Sequence, residues 1–316
     1  MARVLCVLCV FLAACDGASE PTADEQPATA AGVTGRLAFH HALGTPGPIR
    51  LMTARGGRPT RVGPAGDIVW ALSWSPDGRR VAYIASNATG PRSVRVLAAR
   101  SGRPRVLLAA PRRPSPLSEL WFQVAWDPTG ERIAVLRGSP GDPADAHVDV
   151  VDLHGRVRAA GLAPDASSNS RLAWSPDGRK LVYRRQTADP TTAFGKLMVV
   201  AISSRRRRGL AVHIAGSDPA WSPDGSRIAF ATAEGIAVAR SSGGGYRRLT
   251  RGGTSDKTPT WSPDGRWVAY ARQTGACDTP QARCRQDLFR VAVGGGTAER
   301  IRRTPDLFEV NPVWGP

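Results

Sequence analysis

The chain has 316 residues, with 43 Lys and Arg against 26 Asp and Glu, for a formal net charge of +17. Its five His and five Cys show no H-E-x-x-H or paired Cys/His zinc spacing, so no metal motif is recognisable and no cofactor is expected. No G-x-S-x-G nucleophile elbow occurs either, which removes the common serine-hydrolase signature.

MARVLCVLCVFLAAC carries one Arg, an apolar run over residues 4–12, and then Leu12-Ala13-Ala14-Cys15. This is the layout of a secretory signal. Its end resembles a bacterial lipobox, which implies removal of residues 1–14 and acylation of Cys15. The apolar run is too short to span a bilayer. Residues 15–34 have no hydrophobic period, are rich in Ala, Thr, Pro and acids, and are predicted to form a flexible tether.

From residue 35 the chain is organised by repetition. GRLAFHH (35–41), PIRLMTA (48–54) and PTRV (59–62) read as three successive strands. WSPDGRRVAY follows at 74, WDPTGERIAV at 126, WSPDGRKLVY at 174, WSPDGSRIAF at 221 and WSPDGRWVAY at 261. Ser-Pro-Asp-Gly suits a type I turn: Pro presets φ at the first corner, Asp tolerates the second, and Gly accepts the left-handed conformation leading out. The apolar residues after each turn fall on both faces of an extended chain, as in a strand buried on both sides. Two further strand-like runs follow each hairpin: 93–98 and 105–108, 196–202 and 210–213, 287–293 and 299–302. Their linkers RSGR, LHGR, SSGGG and GGGT read as hairpin turns. One repeat is thus four antiparallel strands, a to d, or one propeller blade.

The repeat Trp residues stand 52, 48, 47 and 40 residues apart, and Trp314 lies 53 beyond Trp261. That last Trp has a strand a but no successors, whereas residues 35–62 offer strands b to d with no strand a. Joining residues 310–314 to residues 35–62 completes a sixth blade and leaves no open ring end. The prediction is a single all-β, six-bladed propeller over residues 35–316, monomeric.

The motif resembles the WD40-like repeats of the TolB-type propeller family, and SDPAWSPDGSRIAF with SSGGGYRRLT (217–250) matches the family unit nearly throughout. The resemblance implies six blades. TolB proteins also carry an N-terminal α/β domain that engages the Tol envelope machinery, and no such domain precedes residue 35.

Residues 1–34 contain one Arg and four acids, so the propeller alone carries +20. The excess bases, including the run Arg205, Arg206, Arg207 and Arg208, are expected on c–d turns and outer strands. There they block edge-to-edge pairing or form a basic belt for anionic surfaces. An exported chain leaves nucleic acid out as a partner. Each d–a connection holds an acid: Asp67, Glu119, Asp165, Asp218, Asp256, and Asp306 with Glu309. These carboxylates either cap turns or ring the channel mouth as a binding site. Cys277 and Cys284, in the loop CDTPQARC, are candidates for a disulfide in an exported protein. The longest b–c loops, 138–147, 186–195 and 274–287, are where binding residues concentrate. The expected function is a membrane-tethered, non-catalytic scaffold of the cell envelope that binds an envelope protein or peptide. The alternative is a lactonase-like hydrolase or lyase using the d–a carboxylates.

Overall fold

The computed structural model describes residues 35–40, 46–86, 92–100, 102–109, 120–138, 146–168, 170–185, 194–210, 215–274, 285–302 and 310–315. The signal and tether, Cys15, Glu119, Cys277, Cys284, Asp306, Glu309 and most of the long b–c loops lie outside these residues.

The first blade contains β1 (Arg36–His40), β2 (Ile49–Thr53) and β3 (Gly56–Val62). The second contains β4 (Ile68–Trp74), β5 (Arg80–Ser86), β6 (Ser93–Ala98) and β7 (Pro104–Leu108). The third holds β8 (Leu120–Trp126), β9 (Arg132–Gly138), β10 (His147–Asp152) and β11 (Val157–Leu162). The fourth has β12 (Ala173–Trp174), β13 (Lys180–Arg184), β14 (Leu197–Ala201) and β15 (Arg207–Gly209). The fifth has β16 (Ser217–Trp221), β17 (Arg227–Thr232), β18 (Gly235–Arg240) and β19 (Arg247–Arg248). The sixth has β20 (Asp256–Trp261), β21 (Trp267–Thr274), β22 (Arg285–Ala292) and β23 (Glu299–Arg302). The last strand, β24 (Val310–Gly315), pairs antiparallel with β1 and completes the first blade. Six four-stranded antiparallel sheets thus form a closed six-bladed propeller.

Closure is tight. Leu37 faces Trp314 and Ala38 faces Val313 across the β1–β24 ladder. A Cβ on Gly315 would lie 2.7 Å from the Trp74 ring, so only glycine lets the final strand approach the second blade.

The Ser-Pro-Asp-Gly turns take the predicted form. Gly78 donates its N–H to Ser75 O at 2.9 Å and has φ of 63°. The Ser75 hydroxyl donates to Asp77 Oδ1 (2.5 Å) and accepts the Arg80 N–H (2.9 Å). Hydroxyl bonds of this kind from Ser75, Ser175 and Ser222 are the main reason Asp77, Asp177 and Asp224 titrate below the usual carboxylate range. The divergent second copy keeps the turn by exchanging roles. Buried Asp127 stands in the Ser position and accepts the Arg132 N–H (3.1 Å), while Thr129, in the Asp position, donates its hydroxyl to Asp127 Oδ2 (2.8 Å).

The core lies between blades. Strand b is buried on both faces, as the residue pattern requires: Val81, Ala82, Tyr83, Ile84 and Ala85 are all buried. Tyr83, Tyr183, Phe230 and Tyr270 occupy one repeat position and are fully buried. A side chain of this size contributes about 1.5–3 kcal/mol when removed from water.

The described outer strand of the fourth blade is Arg207–Gly209; of the run 210–213 expected from the sequence, residues 211–213 lie outside the described residues. Arg205 adopts φ of 54°, and Ala201 donates its N–H to Arg206 O, so the hairpin closes in four residues and the outer strand begins at once. Val200 then pairs with Arg207.

Candidate functional site

Five innermost strands end on the repeat Trp and the sixth, β24, carries Trp314 one residue before its end, so ring closure gathers six of them around the axis. Trp74, Trp126, Trp174, Trp221, Trp261 and Trp314 line a central cavity of about 430 Å³, together with the turn prolines Pro76, Pro128, Pro176, Pro223 and Pro263. The indole N–H groups of Trp74, Trp174 and Trp261 donate to Val313 O (3.1 Å), Ala125 O (2.9 Å) and Ala220 O (3.0 Å), in each case on the preceding blade. Guanidiniums cover the outward faces: Arg36, Arg80 and Arg132 sit 5.4, 5.0 and 5.2 Å from the ring centres of Trp74, Trp126 and Trp174, within cation–π range. The turns also pack in sequence. A Cβ on Gly130, Gly178 or Gly225 would meet the proline of the preceding turn at 3.3, 3.6 or 3.5 Å. The cavity therefore has a rigid wall of aromatic and proline surface, to which Ser73, Gln123, Asp127, Arg171, Ser222 and Thr260 add polar groups. Burial lowers the Arg171 pKa, and the charge of nearby Asp218 acts in the opposite direction. A concave apolar wall with convergent polar groups is the composition of a recognition pocket.

The d–a acids are placed elsewhere. None of Asp67, Asp165, Asp218 and Asp256 is among the residues lining this cavity. Asp67 is buried, accepts both contacts of Arg95 (2.7 and 2.8 Å) and accepts the Tyr83 hydroxyl at 3.2 Å. Asp165 accepts the Tyr183 hydroxyl (2.7 Å) and pairs with Arg207 at 2.8 Å. Asp256 is fully buried, accepts the Thr250 hydroxyl and holds Arg272 through two contacts of 2.6 and 2.8 Å. In these three cases an acid from the d–a connection ties an Arg of its own blade beside the buried strand-b Tyr. Burial is the leading reason all three tyrosines titrate above their ordinary range. Asp218 has φ of 49° and accepts the Ser217 hydroxyl at 3.1 Å. Among the described residues, no group of three or more His, Cys, Asp or Glu is close enough to share a metal ion.

Many belt arginines are clasps between blades, a role the sequence reading missed. Arg105 donates to Leu153 O (2.7 Å), Arg208 to Ser241 O (2.7 Å) and Arg247 to Gly294 O (3.2 Å), each reaching the c–d turn region of the next blade. Of the run Arg205–Arg208, Arg207 and Arg208 are engaged in this way or with Asp165, while Arg205 and Arg206 stand exposed.

The repeated Trp–turn–strand unit, closed into this ring, finds its counterpart among known families. Residues 173–316 match the family model of the TolB beta propeller domain. Over that stretch the chain is similar to the TolB propeller. Blades one to three, outside the matched stretch, keep the same strand order as the blades within it. TolB from Acinetobacter baumannii is similar in structure, with a TM-score of 0.68 at 17% identity, covering 89% of this chain and 67% of that one. A putative TolB from Agrobacterium tumefaciens gives 0.58 at 18% identity, covering 88% and 90%. The ring is also similar to an oligogalacturonate lyase solved in complex with manganese, at a TM-score of 0.51 and 14% identity, covering 78% and 71%. No curated protein matches the chain by sequence.

Proposed function

We propose that this protein is a binding scaffold of the bacterial cell envelope, which holds an envelope protein or peptide at the central cavity and does not catalyse a reaction. The carrying observation is the cavity itself, walled by six Trp and seven Pro. Such a wall is rigid and so binds at little entropic loss, and its polar groups fix the orientation of a bound group. The enzymatic alternative would recruit the d–a carboxylates, yet Asp67, Asp165 and Asp256 are engaged by arginines and, for the first two, by tyrosine hydroxyls. The envelope location is supported by the TolB-type fold and by the signal-like N-terminus.

The test is affinity capture from solubilised envelope membranes with the full-length protein. Gln123→Arg places a longer, charged side chain in the cavity wall and should abolish capture of a cavity-bound partner while leaving the melting temperature near the parent's. Undiminished capture by that variant would move the binding surface to the rim or the b–c loops.

Anchoring through Cys15 belongs to the same reading. Two acyl chains or more make such an anchor stable. Mass spectrometry of membrane-extracted protein should find a mature chain starting at an acylated Cys15; an unmodified N-terminus would refute the anchor.

A further inference from the structure

We propose that the seam between the first and second blades is a pocket for a phosphoryl or similar oxyanion group. A cleft of about 620 Å³ opens there, and Arg36, Arg58, Arg61 and Arg100 stand in its wall with no Asp or Glu among its described lining residues. Elsewhere around the ring, Arg105, Arg208 and Arg247 close the corresponding seams by donating to a carbonyl of the next blade. At this seam the outer-strand arginines Arg58 and Arg61 make no such bond. They and Arg100 are exposed, and none of the three has a hydrogen-bond or ion-pair partner among the described residues. Arg36 forms the base, held by Gly78 O at 3.0 Å and by the Trp74 ring.

The backbone brings these cations together. Arg100 sits on the c–d turn of the second blade, which closes with Gly102 N–H on Ala98 O at 3.1 Å. Gly102 has φ of 65°, and a Cβ there would come within 3.2 Å of Gly63 N. Two glycines thus let this turn press against the end of β3 and bring Arg100 to the cleft that Arg36 and Arg58 also line, while strand alternation turns the Arg61 side chain toward the other face of the blade. Like charges converging without a counter-ion repel one another. A ligand with several acceptor oxygens relieves that repulsion, and guanidinium forks match phosphate in a bidentate geometry. A lipid headgroup and a free phosphate or phosphate ester both present that chemistry, and the experiment separates the two sources.

The experiment is calorimetric titration of inorganic phosphate into the full-length protein in non-ionic detergent. Saturable binding is expected, weakened about tenfold or more in Arg58→Gln/Arg100→Gln, since each lost charge-assisted contact removes a large share of the attraction. The control Arg205→Gln/Arg206→Gln, which removes two exposed arginines from another blade, should bind as the parent does. Because both substituted side chains are exposed, the variant should fold; the single change Arg100→Gln, with a smaller loss, guards against the case where it does not. Mixed micelles of phosphatidylglycerol that displace phosphate, where phosphatidylcholine micelles do not, would identify the headgroup as the source. Failure of both to displace it would identify a soluble phosphate. Absence of saturable binding by the parent, or equal loss in the control, would overturn the proposal.

Discussion

A chain ending at residue 309 should unfold without a cooperative transition. Removing β24 takes away the innermost strand of the first blade and the ladder that joins Leu37 to Trp314 and Ala38 to Val313. It also strips the acceptor of the Trp74 indole, Val313 O, and the backbone N–H by which Trp314 holds the Thr260 hydroxyl at 3.0 Å. The ring would then open, with β1 as an unpaired edge and the cores on either side of the first blade exposed. Trp314→Ala alone should be destabilising by about 3–5 kcal/mol, the usual effect of truncating a buried Trp. Calorimetry on both variants checks this. A melting peak for the truncated chain as sharp as the parent's would mean that the other five blades fold without the closing strand.

Asp256→Ala should be destabilising by about 3–5 kcal/mol, the range for breaking a buried ion pair from one side. The carboxylate is fully buried and holds Arg272 through two contacts. It also accepts the Thr250 hydroxyl, whose oxygen in turn accepts the Ile236 N–H at 2.9 Å. Removing the carboxylate leaves Arg272 between the Tyr270 and Phe289 rings, 5.4 and 4.9 Å from their centres, with its counter-ion gone. Glu234→Ala breaks the exposed pair with Arg248 and should change stability by about 0–1 kcal/mol, as solvent-exposed pairs do. Urea denaturation of the two variants makes the comparison. Equal, small effects would show that Asp256 is dispensable to the fold and return it to the candidates for ligand binding.

The parts of the fold written in local chemistry were legible in the sequence. Pro and Gly at fixed offsets specify the turns, and apolar residues on both strand faces specify strand b. An orphan strand a at residues 310–314 opposite orphan strands b to d at residues 35–62 foretold the closure. Features that depend on a neighbouring blade were not legible. Nothing local places the Trp before each turn, and only ring closure shows that all six line one cavity. The acids at 67, 165 and 256 were seen at the right places in the chain, but their partners Arg95, Arg207 and Arg272 lie 28, 42 and 16 residues away, across turns whose register the sequence does not specify. The exchange of roles between Asp127 and Thr129 was visible as a departure from the motif, yet its hydrogen bonds need the folded turn to be seen. Arginines such as Arg105 and Arg208 look like solvated outer-edge charge until the next blade supplies a carbonyl.

The central claim, that a partner is held at the cavity, is tested most directly by hydrogen–deuterium exchange of the protein with and without its captured partner. Amides of the five turns at 75–78, 127–130, 175–178, 222–225 and 262–265 lie beside the cavity wall and should exchange more slowly in the complex. Protection confined to the outer strands β7, β11, β15, β19 and β23, with the turns unchanged, would contradict it.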